Sequence, residues 1–192
     1  MERGQLRDVT QGVSEFDALH AIRVGGMHAE TPANADELAG QGLIFVSPVG
    51  CMLTEDGQTR HAELLEAQRA DVDLDAVRAL YERFLAVNQA TKSKCAEWQN
   101  LSDDEVDGRF VIATDLQEIL ERVSATMTRT ATHVPRFAAY PPRLQGALDK
   151  VMEGQWEYLT SPKVESFHNV WMECHEDYLV TLGISREEEG SY

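Results

Sequence analysis

The chain has 192 residues and a mass of 21.5 kDa, which suits one medium domain or two small ones. Its 33 acidic residues outnumber 17 basic ones, and the net charge of -16 repels nucleic-acid phosphates and anionic membranes. Apolar residues at 43% and charged residues at 26% exclude a wholly disordered chain. Because no apolar stretch approaches the roughly 20 residues of a spanning helix and no signal core is present, we expect a soluble, unexported cytoplasmic protein.

The first 70 residues are predicted to form an α+β segment. Short apolar runs on both sides of a Ser-Pro-Val-Gly turn are typical of a β-hairpin, and capping residues precede each helical run. The expected elements are a helix from Ser14 to Gly25-Gly26, a short helix beginning at Thr31-Pro32, a hairpin over 43–53 and a helix from 54–57 to about Ala70.

Beyond Ala70 the apolar residues recur at helical spacing, which predicts a helical domain over 71–186 and an acidic, solvated tail at 187–192. The expected helices span about 72–100, a run that ends at Pro135, a run from Pro141-Pro142 to near Gly154, and a run from Ser161-Pro162 to Gly183. Ile184 directly after Gly183 indicates a Schellman-type helix end. The predicted fold class is therefore mainly α: a short hairpin segment followed by a bundle of about four helices.

The hairpin region contains a Gly-Leu pair, Gly42-Leu43, before an apolar strand, and Leu-Thr-Glu-Asp-Gly-Gln-Thr-Arg at 53–60 after it. In this order the region resembles winged-helix modules of the MarR type, over residues of about 14–70. The helical remainder contains Pro135-Arg136-Phe137, Trp156, Ser166-Phe167-His168-Asn169-Val170-Trp171 and His175-Glu176-Asp177-Tyr178-Leu179. With these motifs it resembles an uncharacterised bacterial regulator-like family that couples such a module to a helical domain. The resemblance implies a shortened winged helix and a function derived from transcription regulation.

Two features depart from that pattern. The residues between Gly26 and Leu43 are too few for both helices of an ordinary helix-turn-helix and their turn. The stretch between Pro32 and Leu53 contains no lysine or arginine, the side chains that normally contact phosphates. We therefore expect no DNA binding by this module.

Candidate ligand-binding residues lie in the helical part. His168 and His175 are two helical turns apart, and an aromatic stripe runs beside them. Arginines recur every seven residues at Arg122, Arg129, Arg136 and Arg143, which indicates either an anion site or pairing with the many carboxylates. The full candidate set is Trp98, Arg129, His133, His168, Trp171, His175 and Tyr178.

Catalytic and metal signatures are weak. Glu165-x-x-His168 supplies half of a di-iron pattern without its second half. Cys51, Cys95 and Cys174 are too widely spaced for a cysteine-rich zinc site or a disulfide framework, and no G-x-S-x-G, H-E-x-x-H or phosphate loop occurs. We expect reduced, mostly buried thiols, no metal, no cofactor and no catalytic residue.

Three functions remain open at this level. The chain could be a regulator-derived sensor whose helical domain binds a small ligand or mediates dimerisation. It could instead be a protein-interaction subunit that has lost DNA contact, or an enzyme built around His168 and His175. Long amphipathic helices on a small chain also predict a homodimer.

Overall fold

A computed structural model of the protein describes residues 13–26, 31–48, 50–102 and 104–189. The chain is mainly α-helical with one two-stranded antiparallel sheet, which confirms the predicted fold class. It divides between Ala67 and Gln68 into two compact units, which we describe separately. Within the described ranges, no helix combines the length and apolar content that a bilayer span requires.

The first unit contains two short helices, the hairpin and most of a third helix. Its elements are α1 (Glu15–Gly25), α2 (Ala35–Gly40), β1 (Ile44–Ser47), β2 (Gly50–Leu53) and α3 (Glu55–Arg69). The Ser14 hydroxyl accepts from the Asp17 N–H at 3.1 Å, which confirms the predicted cap of α1. The predicted start of the second helix at Thr31-Pro32 is wrong, because α2 begins only at Ala35, after a turn.

The Gly-Leu pair and the threonine motif on the two sides of the hairpin are joined directly. The Thr54 hydroxyl donates to the Gly42 carbonyl at 2.6 Å and accepts from the Gly57 N–H at 3.0 Å, where it caps α3. A Cβ at position 57 would lie 1.8 Å from the carbonyl oxygen of Leu43. Only glycine permits this close approach of α3 to the hairpin.

The second unit is a helical bundle whose four long helices share one core. Its elements are α4 (Leu74–Gln99), α5 (Val106–Thr130), a 3₁₀-helix (Pro135–Ala139), α6 (Tyr140–Met152), α7 (Glu157–Thr160), α8 (Phe167–Leu182) and α9 (Arg186–Glu189). Phe84, Phe137 and Trp171 are among the large side chains that this core buries completely. Burial of such apolar area is the main stabilising contribution to folding.

Two helix boundaries in this unit differ from the sequence prediction. The last long helix begins at Phe167 rather than at Ser161-Pro162, because the Asn169 amide donates to the carbonyls of Ser161 and Val164 and holds that stretch outside the helix. The α5 helix ends at Thr130, before the predicted end at Pro135. Pro135 instead opens the 3₁₀-helix.

The C-terminal end of α8 has the predicted geometry, but the segment after it does not. Gly183 adopts φ 68° and the Ile184 N–H donates to the Leu179 carbonyl at 3.0 Å, which confirms the Schellman ending. The tail predicted to be solvated from residue 187 differs, because Glu189 lies in α9 and its side chain is only 7% exposed. Residues 190–192 of that tail lie outside the described residues.

Candidate ligand site

Facing stripes of α4 and α8, with Arg186 of α9, line a partly open cavity of about 230 Å³ in the second unit, which we call the α4–α8 cavity. On each helix the lining residues recur three or four positions apart, as expected for one helix face. The described residues that line it are Lys92, Cys95, Ala96, Gln99, His168, Met172, His175 and Arg186.

Packing of α8 explains why these side chains reach the cavity. Phe167, Trp171 and Tyr178 form the neighbouring stripe of the helix and are completely buried in the bundle core. The core contacts fix the rotation of α8 about its axis. His168 and His175, on the adjacent stripe, therefore meet α4 at the edge of the core, where the cavity lies.

His175 is the most constrained polar group of the cavity wall. Its side chain is only 2% exposed, and its Nε2 lies 2.8 Å from Oε1 of Glu189 and 3.0 Å from the Tyr81 hydroxyl. The Tyr81 hydroxyl also donates to Glu189. Burial raises the pKa of Tyr81 well above its ordinary value, and the Glu189 carboxylate raises it further.

These contacts favour one tautomer of His175. The Tyr81 hydroxyl donates its own proton to Glu189. The proton between Nε2 and the oxygens of Tyr81 and Glu189 therefore belongs to the imidazole, so the favoured tautomer carries its proton on Nε2. The Nδ1 atom of the same ring is buried and has no hydrogen-bond partner among the residues that the structure describes. A buried polar atom without a partner lowers stability, so the packing of α8 alone does not explain a histidine here.

The two basic side chains that line the cavity, Lys92 and Arg186, differ in their surroundings. Arg186 donates from Nε at 2.9 Å to Oε2 of Glu176, with a second nitrogen at 2.7 Å from the same oxygen. Lys92 is partly buried, and it makes no ion pair with any residue that the structure describes. The positive charge of Lys92 is thus the one that remains available at the cavity wall.

The cavity thiol is kept protonated. Burial raises the pKa of Cys95 to about 12, and burial also raises the pKa of Cys174 well above its ordinary value. The thiolate is the nucleophilic form of cysteine, and it is scarce at neutral pH under these conditions. Both residues behave as small apolar side chains, as the sequence predicted.

Three of the aromatic candidates belong to the core instead of the cavity wall. The Trp171 Nε1 donates to Asn88 at 2.9 Å, and the Tyr178 hydroxyl bonds to Thr130 at 2.6 Å. Trp98 is buried under the guanidinium of Arg109, which lies 4.8 Å from the ring centroid. Of the predicted site residues, the structure brings only His168 and His175 together around the α4–α8 cavity.

The arginine series does not form an anion site. Arg122 pairs with Glu118 on the same helix at 3.2 Å, and Arg143 contacts Glu165 at 2.6 Å and Glu173 at 2.7 Å. Arg129 is exposed, and neither it nor His133 lines the cavity. Pairing with carboxylates thus accounts for most of the series.

A second polar cluster stabilises the bundle. The Asp177 carboxylate is fully buried and accepts from the Arg136 Nε at 3.0 Å, from the Tyr140 hydroxyl at 2.9 Å and from the Thr181 hydroxyl at 3.0 Å. Burial raises the pKa of Tyr140 well above its ordinary value, and the charge of Asp177 raises it further. With its oxygens satisfied, this carboxylate holds α6, α8 and the 3₁₀-helix together.

No group of three or more metal-binding side chains occurs in the described part of the chain. Glu165, the carboxylate of the half di-iron pattern, contacts Arg143 instead. A second and more open depression of about 510 Å³ lies beside Tyr81 and Glu189, which both contact His175. It is lined by Arg78, Tyr81, Glu82, Leu85, Gly183, Ile184 and Glu189.

Sequence reasoning placed Trp98 of α4 in the candidate site, but it missed the residues of α4 and α9 that line the cavity. Lys92, Cys95 and Gln99 have helical spacing on α4, so their shared face could have been found. Their position opposite His168 depends on the packing of two helices that are about 70 residues apart in the chain. Comparison of the chain with protein-family models, with curated proteins and with solved structures found no match.

Proposed function

We propose that this chain is a non-enzymatic, regulator-like cytoplasmic protein whose helical unit binds a small molecule in the α4–α8 cavity. The observation that carries the proposal is the convergence of Lys92, His168 and His175 on one cavity wall. Small-molecule sites usually combine a concave apolar surface with a few such polar groups. Three buried free cysteines agree with a reducing compartment.

The chemistry of the cavity favours binding over catalysis. A thiol with a pKa of about 12 is a poor nucleophile at neutral pH. The Nε2 atom of His175 carries the proton that it shares with Glu189 and Tyr81, so this atom has no lone pair with which to act as a base. These two observations support a sensor or binding protein rather than an enzyme based on His168 and His175.

The first unit supports the alternative of a protein-interaction subunit. We propose that its winged-helix-like shape has been kept without DNA contact, since no lysine or arginine lies between Pro32 and Leu53. The hairpin also exposes apolar side chains: Phe45 is 59% exposed and Met52, its partner across the two strands, is 54% exposed. Exposed apolar patches often mark protein contacts.

Homodimerisation through the helical unit is part of the proposal. The α5 helix exposes Val106 and Val111, although its main apolar stripe is buried in the bundle. We expect sedimentation to give twice the mass of one chain. A Val111→Lys variant should then dissociate, whereas a mass that stays near 21.5 kDa at every concentration contradicts the dimer.

A thermal-shift screen of small metabolites tests the ligand site. Ala96 is exposed and lines the cavity, so Ala96→Trp should fill the cavity without disturbing the core. Ala90→Trp is the matched control, because Ala90 is exposed on the same helix and does not line the cavity. Compounds that raise the melting temperatures of the wild type and of Ala90→Trp should leave the melting temperature of Ala96→Trp unchanged. A screen without binders, or equal shifts in all three proteins, would contradict the proposal.

A further inference from the structure

The α4–α8 cavity has the opposite charge character to the chain as a whole. The protein carries 33 acidic and 17 basic residues, yet none of the described residues lining this cavity is a carboxylate. Lys92, Arg186 and two imidazoles lie on its wall instead. A positive concave site in an acidic protein favours entry of an anion, because low-dielectric walls concentrate the local field.

The ion pairs around the cavity set the charge of that anion. Arg186 is neutralised by Glu176, and Glu189 lies beside Nε2 of His175. Lys92 has no such carboxylate among the described residues, so one full positive charge remains. A single uncompensated ammonium matches one negative charge, whereas a doubly charged phosphate ester would leave a second charge without a partner.

The wall residues and the volume of the cavity determine which uncharged group the ligand can carry. Cys95, Ala96 and Met172 supply aliphatic and sulfur surface, while the indole rings of Trp98 and Trp171 are absent from the wall. A volume of about 230 Å³ corresponds to about eight water molecules, at roughly 30 Å³ for each. The cavity thus suits a short aliphatic chain better than a stacked aromatic ring.

We propose that the α4–α8 cavity binds a short aliphatic monocarboxylate, whose carboxylate contacts the Lys92 ammonium and whose chain packs against Cys95, Ala96 and Met172. This inference rests on the proposed ligand-binding function and names the chemical class of the ligand. The carboxylate and the ammonium form a charge-assisted hydrogen bond inside a partly enclosed site, where water screens it less than at the surface. Binding should therefore weaken with salt, but less steeply than for an exposed ion pair.

Calorimetric titration of the full-length chain with three probes of equal length tests the inference. Hexanoate, hexan-1-ol and hexylamine share an apolar chain and differ in charge. Lys92→Met removes the ammonium and keeps an unbranched side chain. Lys94→Met is the matched control, because Lys94 lies on the same helix and pairs with Glu97 and Asp115 away from the cavity.

We expect the wild type and Lys94→Met to bind hexanoate equally, and Lys92→Met to bind it at least about tenfold more weakly. Hexanol and hexylamine should bind the wild type more weakly than hexanoate does. Equal binding of hexanol or hexylamine, or unchanged hexanoate binding by Lys92→Met, would overturn the inference. If other compounds still bind and Ala96→Trp abolishes their binding, the proposed function survives that result; if no compound binds the cavity, both proposals fail.

Discussion

The Nε2 atom of His175 lies 2.8 Å from Oε1 of Glu189, and this contact joins the short C-terminal helix α9 to the bundle. Tyr81 on α4 bonds to both partners, so three elements meet at one buried polar point. His175 lines the α4–α8 cavity, whereas Tyr81 and Glu189 line the more open depression. The position of α9 is thus coupled to the cavity wall through His175 and Arg186.

Removing Glu189 should destabilise the helical unit. Glu189→Ala removes the acceptor of the Tyr81 hydroxyl and one of the two partners of His175 Nε2 in a buried position, so we expect the free energy of unfolding in urea to fall by about 1 to 3 kcal/mol. Glu187→Ala is the control, because Glu187 lies on the same short helix and is exposed. Its effect should stay within about 0.5 kcal/mol. Equal stability of the two variants would show that the Glu189 contacts contribute nothing.

The helices could be predicted from the sequence, but the buried polar residues of α8 could not. His175, Glu176 and Asp177 are consecutive and all buried, although a run of three such residues normally indicates a solvated face. Each is buried beside a partner supplied from another element, such as Arg136 for Asp177 and Arg186 for Glu176. Local periodicity carries no information about partners that arrive from distant positions in the chain.

Only part of the candidate site could be predicted from the sequence, for a related reason. The sequence placed His175 on one stripe with Trp171 and Tyr178, whereas the structure separates a core stripe from a cavity stripe that contains His168, Met172 and His175. The two stripes are adjacent on α8, so helical spacing alone does not separate them. Only the neighbouring helices show which stripe is closed by packing and which borders a cavity.

Breaking the buried Asp177 pair should cost far more stability than breaking an exposed pair. Asp177→Ala leaves Arg136 without its carboxylate, and we expect a loss of about 3 kcal/mol or more in urea unfolding. Glu118→Ala removes the exposed partner of Arg122 and should cost less than about 1 kcal/mol. Similar losses in the two variants would exclude a stabilising role for the Asp177 cluster.

Alanine substitutions of the two cavity histidines should lower the melting temperature by different amounts. His175 is 2% exposed and bonded to Tyr81 and Glu189, while His168 is only partly buried. We expect His175→Ala to lower the melting temperature by several degrees, because about 1 to 3 kcal/mol corresponds to such a shift in a domain of this size. His168→Ala should lower it less. A larger effect of His168→Ala would contradict the assignment of His175 as the structural member of the pair.

Gly57 should be the least replaceable of the described glycines in the first unit. Because an added Cβ would lie 1.8 Å from the Leu43 carbonyl oxygen, Gly57→Ala forces α3 and the hairpin apart. We expect a loss of about 1 to 3 kcal/mol, seen as faster amide hydrogen exchange in β1 and β2. Gly40→Ala is the control, since nothing lies within 4 Å of its added Cβ. Protection of the hairpin that is equal in both variants would contradict the close approach.

The first unit should have negligible affinity for DNA at physiological salt. Non-specific binding depends on cations that contact phosphates, and the stretch from Pro32 to Leu53, which includes α2 and the hairpin, supplies Asp36 and Glu37 and no lysine or arginine. The net charge of -16 adds a longer-range repulsion.

Fluorescence anisotropy with random and genomic duplexes measures this affinity. Non-specific DNA-binding proteins have dissociation constants of about 10⁻⁴ to 10⁻⁶ M. We therefore expect the wild type not to saturate the duplex even at a protein concentration of about 10⁻⁴ M. A variant with Asp36→Lys, Glu37→Lys and Phe45→Lys is the matched control, because these exposed positions flank or form the hairpin and the substitutions reverse the local charge. The variant should gain salt-sensitive affinity over the wild type, since each added phosphate contact releases counterions. Binding of any duplex by the wild type with a dissociation constant below about 1 µM would contradict the proposed absence of DNA contact by the first unit.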